Sequence, residues 1–223
     1  MVGDVMEVVV FGATGPTGLE VCRLALAAGH VVRAVTRHDN ALPLPTSDAL
    51  REVHADAVTG VGVPEAVAGA DAVLSVLGAP SYTRHPITVY SVGTRTIIDA
   101  LRNVGRGKRL VVVSSGLTYP PPHDSGFIAD RIVFPILRNV IGKTLYADMR
   151  RMEELVRASD DIAWTIMRPG RLFNADSVSQ YRLDLNVPTQ GYTSRIDLAA
   201  AMVAELGADE HVHQAISPTT TRR

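Results

Sequence analysis

Ser115 closes the apolar run Val111-Val112-Val113-Ser114-Ser115, and further along the chain Tyr146 is followed one helical turn later by Arg150. A serine hydroxyl at a strand end can donate to a substrate oxygen. A tyrosine beside a cation can exchange a proton near neutral pH, because the positive charge favours the phenolate. Both have plainer readings: Ser115 caps backbone groups or only touches a bound ring, and Tyr146 packs against a neighbouring loop. Arg150 hardly deprotonates and lacks the geometry of a lysine. A second chemistry, phosphate binding, is written near the N-terminus. Val8-Val9-Val10-Phe11 runs into Gly12-Ala13-Thr14-Gly15-Pro16-Thr17-Gly18 and then into a helical pattern. A helix N-terminus offers unpaired N–H groups and a positive dipole end, and glycines let the backbone approach phosphates. Strand, glycine-rich turn and helix together point to a dinucleotide pyrophosphate.

Other residues at strand ends extend this reading. Arg37 falls where the second strand finishes, the place at which dinucleotide folds choose between a free ribose hydroxyl and a 2′-phosphate. A charge-assisted hydrogen bond from it is worth roughly 1.5–3 kcal/mol, so it favours NADPH by about ten- to a hundredfold. The alternative is a solvated surface arginine. Gly78 and Ala79 end the fourth strand, where small side chains leave room for a ribose or simply mark a tight turn. His85 and His123 lie in loops within reach of a substrate, and an imidazole is a side chain that can serve as a proton donor. The His211-x-His213 pair reads as a surface loop. The seven histidines are scattered and there is a single cysteine, so no metal set is expected.

These residues need a scaffold, and the apolar pattern supplies one. Strand-length runs near 6–11, 31–36, 51–54, 72–77, 109–114, 162–167 and 213–217 alternate with helix-length periodic segments. That alternation predicts a parallel sheet buried on both faces by helices. Helices are predicted at Pro16 to Ala28, 87–104, 145–158 and 195–206, the last introduced by Ser194. Cys22, with Leu19, Ala25 and Leu26, falls on one face of the first helix and reads as core. Pro120-Pro121-Pro122 breaks the pattern. The following stretch, 127–141, is unusually apolar with Arg131, Arg138 and Lys143 interleaved. A buried core helix is the primary reading there, and a lid or wall over an apolar substrate is the functional one. The alternating Tyr181-Arg182-Leu183-Asp184-Leu185 predicts a short strand or hairpin within 172–194.

At 223 residues and a net charge of −1, the chain suits one domain, 1–223. It carries no basic stripe, so neither nucleic acid nor an anionic membrane is an expected partner. No apolar run is long enough to span a bilayer, and a cytoplasmic location is the expectation. Oligomeric state is left open.

The sequence resembles the atypical short-chain dehydrogenase/reductases, within their NAD(P)H-binding branch of flavin reductase/biliverdin reductase B-like and NmrA-like proteins. The resemblance rests on the glycine-rich turn, Thr36-Arg37, His54-Ala55-Asp56, Val76-Leu77-Gly78-Ala79, Val113-Ser114-Ser115-Gly116 and Arg168-Pro169-Gly170-Arg171, in that order over about 6–210. The turn is spaced Gly-x-x-Gly-x-x-Gly, unlike the Gly-x-Gly-x-x-Gly of most Rossmann dehydrogenases. The resemblance implies a single α/β domain: a Rossmann-type, doubly wound, mostly parallel sheet with substrate-side segments at 118–145 and 172–194. It implies cofactor contacts from Gly12, Thr14, Gly15, Pro16, Thr17, Gly18, Arg37, Asp56, Ala57, Leu77, Gly78, Ala79, Ser114, Arg168, Pro169 and Gly170. Asp56 would meet the adenine amino group, or else cap its loop; Arg168 would line the nicotinamide end, or else form a salt bridge below it. Relatives often carry a second basic residue where this chain has Ala41, so His38 is a partial substitute and NADH remains possible. The slot for a lysine or histidine falls on Met149, which cannot transfer a proton. The implied activity is hydride transfer from NADPH to a small conjugated acceptor (flavin, quinone or enone), with Ser115 and Tyr146 as catalytic candidates. The alternatives are a non-catalytic NADP(H)-binding sensor of NmrA-like type and a cofactor-retaining epimerase.

Overall fold

The computed structural model describes residues 4–38, 42–79, 85–104, 108–120, 126–187 and 191–221. Ala41 and His123, together with parts of the 118–145 and 172–194 segments, lie outside the described residues. Strands β1 (Glu7–Phe11), β2 (Val31–Thr36), β3 (Leu50–His54), β4 (Ala72–Ser75), β5 (Arg109–Val113) and β6 (Ala163–Met167) form a parallel sheet. β10 (Gln214–Thr220) extends it in parallel, and β8 (Tyr181–Leu185) closes it antiparallel, giving the order β3-β2-β1-β4-β5-β6-β10-β8. The 181–185 alternation therefore is a strand, but its partner comes late in the chain and is not a local hairpin arm. β7 (Arg171–Phe173) and β9 (Tyr192–Ser194) pair in a separate two-stranded sheet.

The central strands are apolar on both sides because both sides are covered, whereas the edge strands β3 and β8 carry exposed charged residues. Val9, Phe11, Val73, Leu110, Val112 and Ile166 face one core, which is closed by α2 (Val63–Val67), α3 (Val89–Asn103) and α5 (Lys143–Arg157). Val8, Val10, Leu74, Val111 and Met167 face the other, closed by α1 (Pro16–Ala27) and α6 (Arg195–Ala204). Each fully buried Val, Leu or Ile contributes roughly 1.5–3 kcal/mol by leaving water. Cys22 is buried under α1, and burial pushes its thiol up to about 12. Ser194 caps α6 as predicted, accepting from Asp197 N at 3.0 Å. Helix α2 was not predicted; its five residues are too few for a periodic signal, and Gly62, at φ +73, sets its entry.

One sequence reading needs correction. The 127–141 stretch is not a buried core helix. It winds as π-helical turns, Ala129–Val133 and Leu137–Ile141, around α4 (Phe134–Ile136), and contributes to neither core. Phe127, Ile128 and Val140 are 77%, 67% and 70% exposed. Periodicity registers apolar content, but outside its own turns the segment packs on α5. The His211-x-His213 pair lies in a surface turn, as read, and both rings are held there. His211 Nδ1 lies 2.7 Å from Glu205 Oε1, and the His213 ring bonds the Ile162 carbonyl and stacks on Trp164.

Candidate functional site

The sheet order reverses direction between β1 and β4, which opens a crevice at the carboxyl ends of these strands. The glycine-rich turn sits there. Gly12 adopts φ +79, and a Cβ on it would come 2.4 Å from the Val76 carbonyl oxygen. A Cβ on Gly18 would meet the Gly12 oxygen at 2.1 Å. Those two glycines are required by the fold. Gly15 is different: its φ is −78 and a Cβ would meet only the Gly12 oxygen, at 3.4 Å. Among the described residues no close contact requires a glycine there. Gly15 is also the N-cap of α1 and supplies no side-chain acceptor, so the Thr17 and Gly18 amides keep no capping partner. Thr14 and Pro16 are exposed on the rim, and Thr17 and Gly18 lie beneath.

Around this turn, Arg37 is exposed at the end of β2 and makes no hydrogen bond or ion pair among the described residues. Beside it the Thr36 hydroxyl is buried without a partner. Asp56 Oδ1 accepts from Val58 N at 2.8 Å and Thr59 N at 3.4 Å, so this oxygen caps its own loop. Ala57 is buried, and a Cβ on Gly93 of α3 would crowd both it and Leu77. Gly78 is exposed with open space where a Cβ would stand, and Ala79 N–H donates to Tyr90 Oη at 3.1 Å.

The β5 and β6 ends are joined by a buried polar network. Ser114 Oγ donates to Glu153 Oε1 at 2.6 Å and pairs with Thr118 Oγ1 at 2.9 Å. Arg168 reaches the same carboxylate through Nε at 3.0 Å and Nη2 at 2.5 Å, and its guanidinium lies 4.8 Å from the Tyr119 ring. The side chains of Ser114 and Arg168 are thus spent on Glu153, the salt bridge foreseen as the plainer reading. Burial pushes the Tyr119 phenol up, and the Glu153 carboxylate adds to that against the opposing pull of Arg168. Pro169 is buried, and its carbonyl accepts from Gly116 N at 2.8 Å. A Cβ on Gly170 would lie 1.9 Å from the Gly191 oxygen, so the close approach of that backbone requires the glycine.

Ser115 is half-buried, and its Oγ accepts from Leu117 N at 3.2 Å while keeping its own proton to give. Tyr146 is 4% exposed and its ring abuts Gly142, where the 127–141 segment ends. Arg150 gives Nη1 to the Thr118 carbonyl at 3.1 Å, and Thr118 N–H in turn bonds the Ser115 carbonyl. Arg150 therefore braces the Ser115 turn. Met149 is buried, with its sulfur 3.7 Å from Thr118 Oγ1. His85 is exposed. Among the described residues no three His, Cys, Asp or Glu side chains gather as a metal set, and no helix is long and apolar enough to cross a membrane. Sequence reasoning missed a hollow of about 310 Å³ next to Pro16, lined by Leu19, Asn174, Ala175, Arg195 and Ile196. Its walls come from α1 and from chain more than 150 residues away, and no local pattern marks such a meeting.

A doubly wound sheet with an uncapped, glycine-lined helix start at its switch point is the architecture of a nucleotide-binding Rossmann-type fold. Residues 12–209 match the family described as NAD(P)H-binding, and the chain belongs to that family. A Schizosaccharomyces pombe protein described as UPF0659 is 30% identical over 184 residues, covering 72% of this chain and 68% of its own. A Streptococcus pneumoniae structure described as a candidate NADH-flavin reductase superposes with a TM-score of 0.77 at 22% identity, covering 97% of this chain and all of the other. A Veillonella parvula short-chain dehydrogenase/reductase in complex with NADP gives 0.75 at 16% identity, over 97% and 95% of the two chains. The structural likenesses establish the shared fold.

Proposed function

We propose that the protein is an NADPH-dependent reductase of a small conjugated acceptor such as a flavin, quinone or enone. The observation that carries the cofactor half is the Gly15 position, a glycine with no steric reason in the fold at an uncapped helix start. Thr17 and Gly18 amides would hold the pyrophosphate, and the uncommitted Arg37 would take the 2′-phosphate. When bound, the nicotinamide supplies a hydride. The chain's own work is to orient the two rings at the strand ends and to hold a proton at Ser115 Oγ.

The acceptor class follows from the groups around Ser115. Arg150 is committed to Thr118 and Met149 occupies the lysine slot, so a tyrosine–lysine acid is not assembled. An electron-poor ring needs no strong acid, since water or Ser115 can protonate the product. The exposed apolar 127–141 segment adjoining Tyr146 is suited to an apolar acceptor.

The test is NADPH consumption against flavins, quinones, enones and aldehydes, with Ser115→Ala and Tyr146→Phe in parallel. Turnover should fall with Ser115→Ala and survive Tyr146→Phe; loss only with Tyr146→Phe restores a tyrosine mechanism. Arg37→Ala should weaken NADPH by about tenfold and leave NADH unchanged. Tight NADPH binding without oxidation by any acceptor would instead favour the sensor, a reading that Met149 in the lysine slot supports.

A further inference from the structure

Helix α3 starts without help from its own N-cap, because the Thr88 side chain makes no capping bond. Its first-turn amides are capped from another helix. Tyr90 N and Ser91 N donate to Asp148 Oδ2 of α5 at 2.9 and 3.3 Å, and Ser91 Oγ donates to Oδ1. Arg151 Nη2 completes the set, at 3.0 Å from Oδ1 and 3.2 Å from the Ile87 carbonyl. Asp148 is fully buried, yet its charge is met by two amides, a hydroxyl, a guanidinium and the positive end of α3. A carboxylate this well satisfied fixes the first turn of α3 rigidly against α5.

That turn carries Tyr90, whose ring lies in the core and whose Oη accepts the Ala79 N–H at 3.1 Å. Ala79 follows Gly78, the open-sided glycine at the end of the β4 loop. An unbroken chain of hydrogen bonds and one rigid turn thus runs from Asp148 through Tyr90 to the backbone of residues 78–79. The same helix α5 bears Tyr146 and Arg150, and Arg150 braces the Ser115 turn. One helix therefore supports both the β4 end at Gly78–Ala79 and the β5 end at Ser115.

We propose that Asp148 and Tyr90 are positioning residues that hold the Gly78–Ala79 turn against the nicotinamide end of the cofactor. The inference rests on the NADPH reading above and assigns it a support that touches neither cofactor nor substrate. The relay bears on the nicotinamide half, whereas Arg37 and the glycine-rich turn bear on the other half. Disturbing it separates the two.

Tyr90→Phe removes one oxygen and keeps the ring. Binding of NADPH and of 2′,5′-ADP, which has the 2′-phosphate but no nicotinamide, is measured by calorimetry on both proteins, with thermal unfolding alongside. Tyr90→Phe should weaken NADPH about three- to tenfold, the loss of one hydrogen bond, and leave 2′,5′-ADP within twofold. Asp148→Asn should shift the same ratio in the same direction. An unchanged ratio of the two affinities in Tyr90→Phe, whether both hold or both fall together, overturns the relay while the NADPH reading stands. Failure of the wild type to bind either nucleotide overturns both.

Discussion

Replacing Glu153 by glutamine would leave a guanidinium charged and unpaired inside the protein. Glu153 is fully buried and Arg168 is 6% exposed, with two hydrogen bonds between them at 2.5 and 3.0 Å. Arg157, at 3.8 Å and largely in solvent, is too distant and too screened to add much. Breaking one side of such a buried pair costs about 3–5 kcal/mol, because the partner's charge keeps its desolvation penalty. The Ser114 hydroxyl also loses its anionic acceptor. For a domain of this size each kcal/mol lowers the melting temperature by about 2–4 °C, so the expected fall is about 6–20 °C. Thermal and urea unfolding followed by circular dichroism would measure it. The double variant Glu153→Leu with Arg168→Met should recover most of the loss, since an apolar pair has no charge to strand. A fall below about 1 kcal/mol for Glu153→Gln would mean that water reaches the pair and would refute this reasoning.

The two kinds of glycine in the turn should separate by stability. Gly18→Ala forces backbone apart and should cost about 1–3 kcal/mol, while Gly15→Ala should unfold within about 1 °C of wild type; melting curves decide. Asp197 gives a pH signature. Burial pushes its carboxyl up, but hydrogen bonds from Thr220, Ser179 and Ser194 outweigh that and hold it below the ordinary value. A depressed carboxyl stabilises the fold above its unfolded value near 4 and loses that contribution as pH falls through the folded one. The stability gap between wild type and Asp197→Asn should therefore be constant at neutral pH and narrow as pH falls below about 4. A gap that does not narrow on acidification would contradict it. Cys22, with its thiol pushed up to about 12, should resist thiol reagents at pH 8 until the protein unfolds, as read by mass spectrometry of the labelled chain.

The strands were legible because doubly covered strands are continuous apolar runs: Val8-Val9-Val10 and Val111-Val112-Val113 admit little else. The glycine-rich turn was legible for the same local reason, as strand, turn and helix are consecutive. Local pattern did not reveal which glycines the fold demands, since Gly12 and Gly18 are crowded by backbone while Gly15 is not. It also misjudged 127–141, where apolar residues were read as core although they join neither core cluster. The polar networks were invisible for a different reason. Glu153 with Arg168, and Asp148 with Tyr90, are pairs made by tertiary packing, and no spacing rule links residues on separate helices and strands.

The central claim is that a reduced nicotinamide dinucleotide lies against the backbone at Gly15. Titration of NADPH by its fluorescence into wild type and Gly15→Val tests it most directly, with melting curves to show that the variant is folded. Valine is compatible with the extended backbone at this position, and its side chain would fill the space proposed for the pyrophosphate. The account predicts saturable binding to wild type and none to the folded variant. A folded Gly15→Val that keeps wild-type affinity would contradict it.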